Sequence, residues 1–256
     1  MSSRASLNLN LAGIAVVIVT WQLMVTTGVV SSNFIPTPWE VAQSAASLLT
    51  SSRFTSGLGS TVLAWLASVL IVTATAVPLG ILIGRVSFLR KSSILMIETL
   101  RPIPSVAILP LAVLLLGLSS QMKIALAVYA SFWPLIITTI YGVASVDRVL
   151  INSARLMGWS EVRILRRVIF PGALRYVITG LRVSTAIALI LVLTAELLAG
   201  TGGIGHEIAI SQTAGRVPDV FAGVLITGLI GVLGYTTLVL AEKRFMPWTS
   251  MNGVTS

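Results

Sequence analysis

The sequence predicts an all-α, polytopic membrane protein: six transmembrane helices, with a cytoplasmic helical hairpin between helices 4 and 5. Three observations carry this. Of 256 residues, 55% are hydrophobic and 10% are charged, against about 25% charged in an average soluble domain. The uncharged stretches reach the length of about 20 residues that a helix needs to cross the hydrocarbon layer. Lipid leaves an open chain no other way than helix to satisfy its backbone. Finally, a six-span count places 14 of the 17 Lys and Arg on one side. Basic segments stay inside, so that side is the cytoplasm, with both termini and the hairpin.

Taken in order, residues 1–10 are polar and carry only Arg4. Residues 11–30 hold no charge and form the first expected span. The run is longer than a signal-peptide core and lacks a small-x-small cleavage site after it, so it is read as retained. Residues 31–56 form a polar connector containing NFIPTPWEV, with a short interfacial helix expected over 39–49. The second span is placed at 59–83, bent at its inner end by Pro78. Arg85, Arg90 and Lys91 make a basic loop. Residues 92–101 are mixed, with Glu98 and Arg101. The third span is placed at 102–122, with a kinked RPIPSVAILP opening, and 117–123 is read as a tight turn. The fourth span is 124–146, with Pro134 inside it.

Residues 152–171, NSARLMGWSEVRILRRVIFP, are the one long polar interruption of the second half. Their apolar residues recur at three- and four-residue steps, first Leu150, Ile151, Ala154 and Met157, then Val162, Leu165, Val168 and Ile169. Gly158 stops the first pattern. Ser160 followed by Glu161 reads as an N-cap with an acid in the first turn. Pro171 is expected to end the second helix before the chain re-enters the membrane. This gives two short amphipathic helices joined at Gly158 and Trp159, a surface for a cytoplasmic partner. The fifth span is 174–200, with Arg175 and Arg182 at its start and Glu196 near its end. A Gly-rich connector covers 201–219. The sixth span, 220–241, stops at Glu242, Lys243 and Arg244; its Gly223, Gly228, Gly231 and Gly234 suit close helix packing. The whole chain, 1–256, is one transmembrane domain.

The chemistry excludes more than it offers. There is no cysteine and one histidine. His206-Glu207 reads as a polar pair after the fifth span. The acids form no close pair with metal-ligand or acid/base spacing, so no catalytic residue, metal site or cofactor is expected. GTGGIG at 200–205 matches G-x-G-x-x-G by letter, but it follows a membrane helix and no βαβ unit surrounds it. It reads as a helix exit with permissive backbone. No phosphate-binding loop occurs, so any ATPase is a separate protein. The net charge of +9 reads as inside-positive segregation rather than a nucleic-acid surface. Glu196 is the one acid inside a span, where a charge costs about 2.5–3.5 kcal/mol at the centre. It stands either in a translocation path, as substrate contact or gate, or in a hydrogen bond to a neighbouring helix or subunit. An ATPase-independent channel or carrier would not need the hairpin, although the hairpin could rest on anionic membrane lipid.

The hairpin resembles the EAA motif of binding-protein-dependent ABC transporter permeases, E-A-A with Gly four residues on and an Ile-x-Leu-Pro ending. Asn152-Ser153-Ala154 stands at the E-A-A positions, Gly158 at the glycine, and Val168-Ile169-Phe170-Pro171 at the ending. The acidic first residue is missing. NFIPTPWEV, Arg101-Pro102-Ile103-Pro104 with Leu109-Pro110, and Ala195-Glu196 are similar to segments of the nitrate, sulfonate and taurine branch. The resemblance implies a MetI-like core over about 54–244 and a coupling hairpin over 147–173. It implies that Ala154, Arg155, Leu156, Met157, Gly158, Trp159 and Ser160 seat in a cytoplasmic ATPase. The implied assembly has a second permease subunit, expected to be another copy, two ATPase subunits and an extracytoplasmic substrate-binding protein, in a bacterial inner membrane. The implied cargo is a sulfonate, taurine or nitrate-type anion; related permeases carry thiamine-precursor-like or riboflavin-like compounds.

Overall fold

A computed structural model describes residues 3–31 and 34–245. Asn33, which opens the NFIPTPWEV segment, and the short tail after residue 245 lie outside the described residues. Among the described residues every regular element is helical. The helices are α1 (Ser3–Thr26), α2 (Pro38–Thr50), α3 (Ser52–Arg85), α4 (Ser87–Leu100), α5 (Leu109–Leu116), α6 (Ser120–Ala144), α7 (Arg148–Leu156), α8 (Glu161–Ile164), α9 (Phe170–Ala199), α10 (Ile204–Thr213) and α11 (Val217–Phe245). A 3₁₀ turn, Ser105–Ile108, precedes α5, and a π turn, Leu165–Ile169, joins α8 to α9.

Four helical runs are long and apolar enough to span a bilayer: Ser52–Arg85, Ser120–Ala144, Glu161–Ala199 and Val217–Glu242. A fifth span exists if Ser87–Leu100 and Ser105–Leu116, bent by 76°, are counted together. The apolar part of α1, Ala12–Thr26, is shorter. Of the six expected spans, four are thus long apolar helices, the third is a span only if the bent pair crosses as one, and the first falls on a helix with a shorter apolar stretch.

Several boundaries differ from the sequence-based expectation. No single helix covers 102–122. Pro102 and Pro104 each lack an N–H and cannot continue the helical hydrogen-bond ladder. Arg101 still keeps helical angles (φ −56°, ψ −42°), whereas Pro104 is extended (φ −63°, ψ 116°), so the chain breaks between α4 and the 3₁₀ turn. Gly117, at φ 67°, ends α5. The turn is then only 117–119, because Ser119 accepts a hydrogen bond from the Met122 N–H at 3.2 Å and caps α6. Lys123 therefore lies in the first turn of α6 and not in a loop. The basic stretch at 85–91 is also not a loop; Val86 alone separates α3 from α4. The 201–219 connector contains α10, so His206 and Glu207 are helical.

Pro171 does not end a helix. Upstream of it the Phe170 N–H bonds to the Leu165 carbonyl, five residues back. That widened turn absorbs the missing N–H and the steric bulk of the ring. The helix continues unbroken from Glu161 to Ala199.

The core is three-layered, with α6 making its most extensive contacts with α9 and α3. Close approach decides which residues can stand there. A Cβ built on Gly80 would sit 2.7 Å from the Thr139 Cβ, and one on Gly84 2.8 Å from the Val143 Cβ. This small-x-x-x-small stripe lets α3 lie against α6. Among the described residues, buried side-chain polar groups of the bundle are bonded internally, except Trp133 Nε1, Arg182 Nε and Thr201 Oγ1. Trp65 Nε1 donates to the Thr185 carbonyl at 2.8 Å, and Ser184 Oγ donates to the Ser131 carbonyl at 2.7 Å. Arg182 of α9 pairs with Glu242 of α11. Leucines such as Leu63, Leu70, Leu114 and Leu233 face outward, as lipid-facing positions do.

Gly84→Leu would force α3 and α6 apart and should destabilise the bundle by about 1–3 kcal/mol, the usual range for overpacking. Thermal unfolding of the purified variant measures this; an unchanged midpoint would contradict the packing described.

Candidate functional site

The hairpin is built by local rules. Asp147 caps α7 by accepting the Val149 N–H at 2.8 Å. Gly158 closes α7 at φ 75°. The Trp159 N–H reaches the Ala154 carbonyl at 3.1 Å and the Gly158 N–H reaches the Arg155 carbonyl at 2.9 Å. This is the Schellman pattern, which needs a left-handed residue where Gly158 stands. Ser160 then caps α8, accepting the Arg163 N–H at 3.4 Å.

Packing sorts the hairpin residues into two sets. Ala154 is buried against Ile164, Ile169, Val143 and Ala173, and Trp159 packs on the same cluster. The Arg163 guanidinium lies 4.4 Å from the Trp159 ring centroid. These residues fix the hairpin to the bundle. Leu156 and Met157 point away, 90% and 73% exposed. Arg155 pairs with Glu161 at 2.9 Å, and Glu161 also pairs with Arg85 at the end of α3. The hairpin is thus clamped to α3 by charge and to α6 and α9 by apolar contact, and it offers an apolar tip. Asn152 lies beside this clamp, on a polar cavity lined by arginines.

At the other end of the same helical run stands Glu196, fully buried and paired with Lys123 at 2.6 Å. Among the described residues these are the two fully buried charges. All three donors of Lys123 are matched: Glu196 Oε1, Ser60 Oγ at 3.0 Å and the Gly202 carbonyl at 3.2 Å. Glu196 Oε2 accepts from Thr61 Oγ1 at 2.8 Å and from the Gly205 N–H at 3.1 Å. Thr61 in turn accepts the Ile204 N–H at 2.9 Å. The pair therefore ties α3, α6 and α9 to the Gly-rich turn before α10. A Cβ at Gly203 would strike the Glu196 carboxyl and one at Gly205 would sit 2.8 Å from the Glu196 Cβ, so these two glycines of GTGGIG serve this close approach. Glu207 pairs with Arg53 at 2.8 Å on α3, reinforcing the same junction.

A family model described as "Binding-protein-dependent transport system inner membrane component" matches residues 76–250. The chain belongs to this family. Among its relatives, a probable ABC transporter permease protein of Brucella melitensis biotype 1 is 32% identical over 242 residues, 94% of this chain and 97% of that protein. The taurine transport system permease protein TauC of Escherichia coli K12 is 31% identical, over 94% of this chain and 89% of that one. The nitrate import permease protein NrtB of Synechocystis is 27% identical, over 91% and 87%. Among solved structures, the inward-facing MetNI methionine ABC transporter matches with a TM-score of 0.61 at 17% identity, over 75% of this chain and 94% of that one. That likeness shows a MetI-like permease fold.

In this permease, Lys123 and Thr61 are partners that the sequence reading of Glu196 did not supply. The signal was available. A carboxylate inside a span needs a counter-charge, and Lys123 was one of three basic residues outside the inside-positive set. Removing one partner of a buried pair costs about 3–5 kcal/mol, because the other charge is left uncompensated. Lys123→Met alone should therefore destabilise the permease more than Lys123→Met combined with Glu196→Gln. Thermal unfolding of the purified single and double variants tests this; a double variant as unstable as the sum of the singles would contradict it.

Proposed function

We propose that this ABC importer permease subunit is driven through its hairpin by a cytoplasmic ATPase, and that it moves a small sulfonate, taurine or nitrate-type anion. The observation that carries the coupling reading is the ordered apolar tip, Leu156 and Met157, standing exposed on a hairpin clamped to three helices. Exposed apolar surface held rigid by polar surroundings is the mark of a docking site. The charge segregation supports a cytoplasmic side for this tip and for both termini. Leu156 and Met157 enter the ATPase groove, Arg155 and Arg163 stand at its rim, and Gly158 makes the turn. Ala154, Trp159 and Ser160 hold the shape of that tip. Two permease copies and two ATPase subunits form the working unit, with a substrate-binding protein outside. ATP binding and hydrolysis happen on the partner; this chain contributes the path.

Relatives named for taurine, nitrate and aliphatic sulfonates support this substrate class. Glu196 acts at the outer end of the path by holding the turn before α10, since its carboxylate is enclosed by Lys123, Thr61 and Gly205.

Burial of a Leu or Met side chain stabilises by about 1.5–3 kcal/mol, and 1.4 kcal/mol is a factor of ten in affinity. Leu156→Asp with Met157→Asp should leave insertion and folding intact yet cut ATP-dependent uptake by about tenfold or more, with loss of the ATPase on purification in mild detergent. Gly158→Glu, placed at a left-handed backbone position, should behave the same way. Normal uptake by either variant would overturn the coupling reading.

A further inference from the structure

A polar cavity of about 330 Å³ lies where the end of α3, the start of α4 and α7 converge beside α6. Arg85, Arg90, Arg148 and Arg155 line it, with Ser87 and Asn152. The charge is not balanced from within. Among the described residues, Glu161 is the one acid paired with any of these arginines, and it holds Arg85 and Arg155 together. Arg90 donates instead to the Gly84 carbonyl at 3.3 Å. Among the described residues Arg148 makes no ion pair. Four arginines thus line a half-open space, and one carboxylate pairs with two of them. Asn152 sharpens this: it stands where the EAA motif carries its acid, so the position that would supply a second carboxylate to the cavity supplies a neutral amide.

We propose that this cavity binds a phosphate-bearing anion. The planar guanidinium fork matches phosphate oxygens two at a time. Arg90 and Arg148 supply charge that no acid neutralises, and the Ser87 hydroxyl and Asn152 amide add uncharged donors. The site sits at the membrane boundary. Leu82 and Phe88 are exposed on the helices that flank it, where an acyl chain would run, and basic pockets at this level take anionic headgroups. The inference rests on the proposed orientation only in making the cytoplasmic leaflet the source of a lipid ligand; symmetric nanodiscs separate the two questions.

The purified permease would be placed in nanodiscs of phosphatidylcholine, with or without phosphatidylglycerol, and separately titrated with inorganic phosphate in phosphatidylcholine alone. The expected result is a rise in Tm of about 2–4 °C with phosphatidylglycerol, and retention of that lipid in native mass spectrometry. The same rise with inorganic phosphate alone would support the site and name a soluble source. Arg90→Gln with Arg148→Gln should lose the rise. Asn152→Glu, a change at an exposed position that adds a carboxylate inside the cavity, should lose it too. No rise in the wild type with either anion, or an equal rise in the wild type and Asn152→Glu, would overturn the proposal. So would variants that keep the rise but no longer retain the ATPase, since the arginines would then serve an acidic partner surface.

Discussion

The helical run from Glu161 to Ala199 has no break, and the rest of the structure is arranged around that continuity. Its 39 residues extend about 58 Å at 1.5 Å per residue, nearly twice the about 30 Å of a hydrocarbon core. A run that long must stand clear of the lipid, and its charged end, with Glu161, Arg163, Arg166 and Arg167, is the end that can. The second arm of the hairpin is therefore the exposed end of a spanning helix, and α7 is a separate short helix joined to it at Gly158. Under the proposed coupling, movement applied at Leu156 and Met157 would cross the Gly158 turn and enter this run, whose one irregularity is the π turn at 165–169.

Each end of the run is anchored by charge, under different conditions. At the hairpin, Glu161 bridges two arginines with water near at hand, where a single exposed pair contributes little; its value is geometric, tying the hairpin to α3. At the far end, Lys123 and Glu196 are enclosed, and neither can be given up singly without stranding the other. That pair holds the turn before α10 against α3 and α6. A helix fastened to its neighbours at both ends, and packed closely along α6 between them, is suited to moving as one body.

The parts of this arrangement that the sequence shows are the local ones. Gly158 and Ser160 are cap residues whose chemistry depends on a few neighbours, so the turn between α7 and α8 was legible, though the end of the second arm was not. Charge segregation and apolar length showed a helical membrane protein. What stayed hidden depends on distant partners or on compensation. The effect of Pro171 is set by the widened turn before it, and nothing in the residue types marks that register shift. The break at 101–104 was legible as irregular, but the helix before it was not, because Ser92, Ser93, Glu98 and Arg101 dilute its apolar face. Lys123 and Glu196 lie far apart in the chain and meet only when α6 and α9 pack. Reading Lys123 as part of a turn came from extending the Gly117 turn too far, when Ser119 was already a helix cap.

The account stands or falls on which side of the membrane the apolar tip faces and what covers it. The chain has no cysteine, so a single cysteine placed at Leu156 can be followed with a membrane-impermeant maleimide. It should react in inside-out vesicles, stay unreacted in intact cells, and be shielded when the ATPase is bound. Equal labelling from outside intact cells, or labelling that the bound ATPase does not slow, would contradict it.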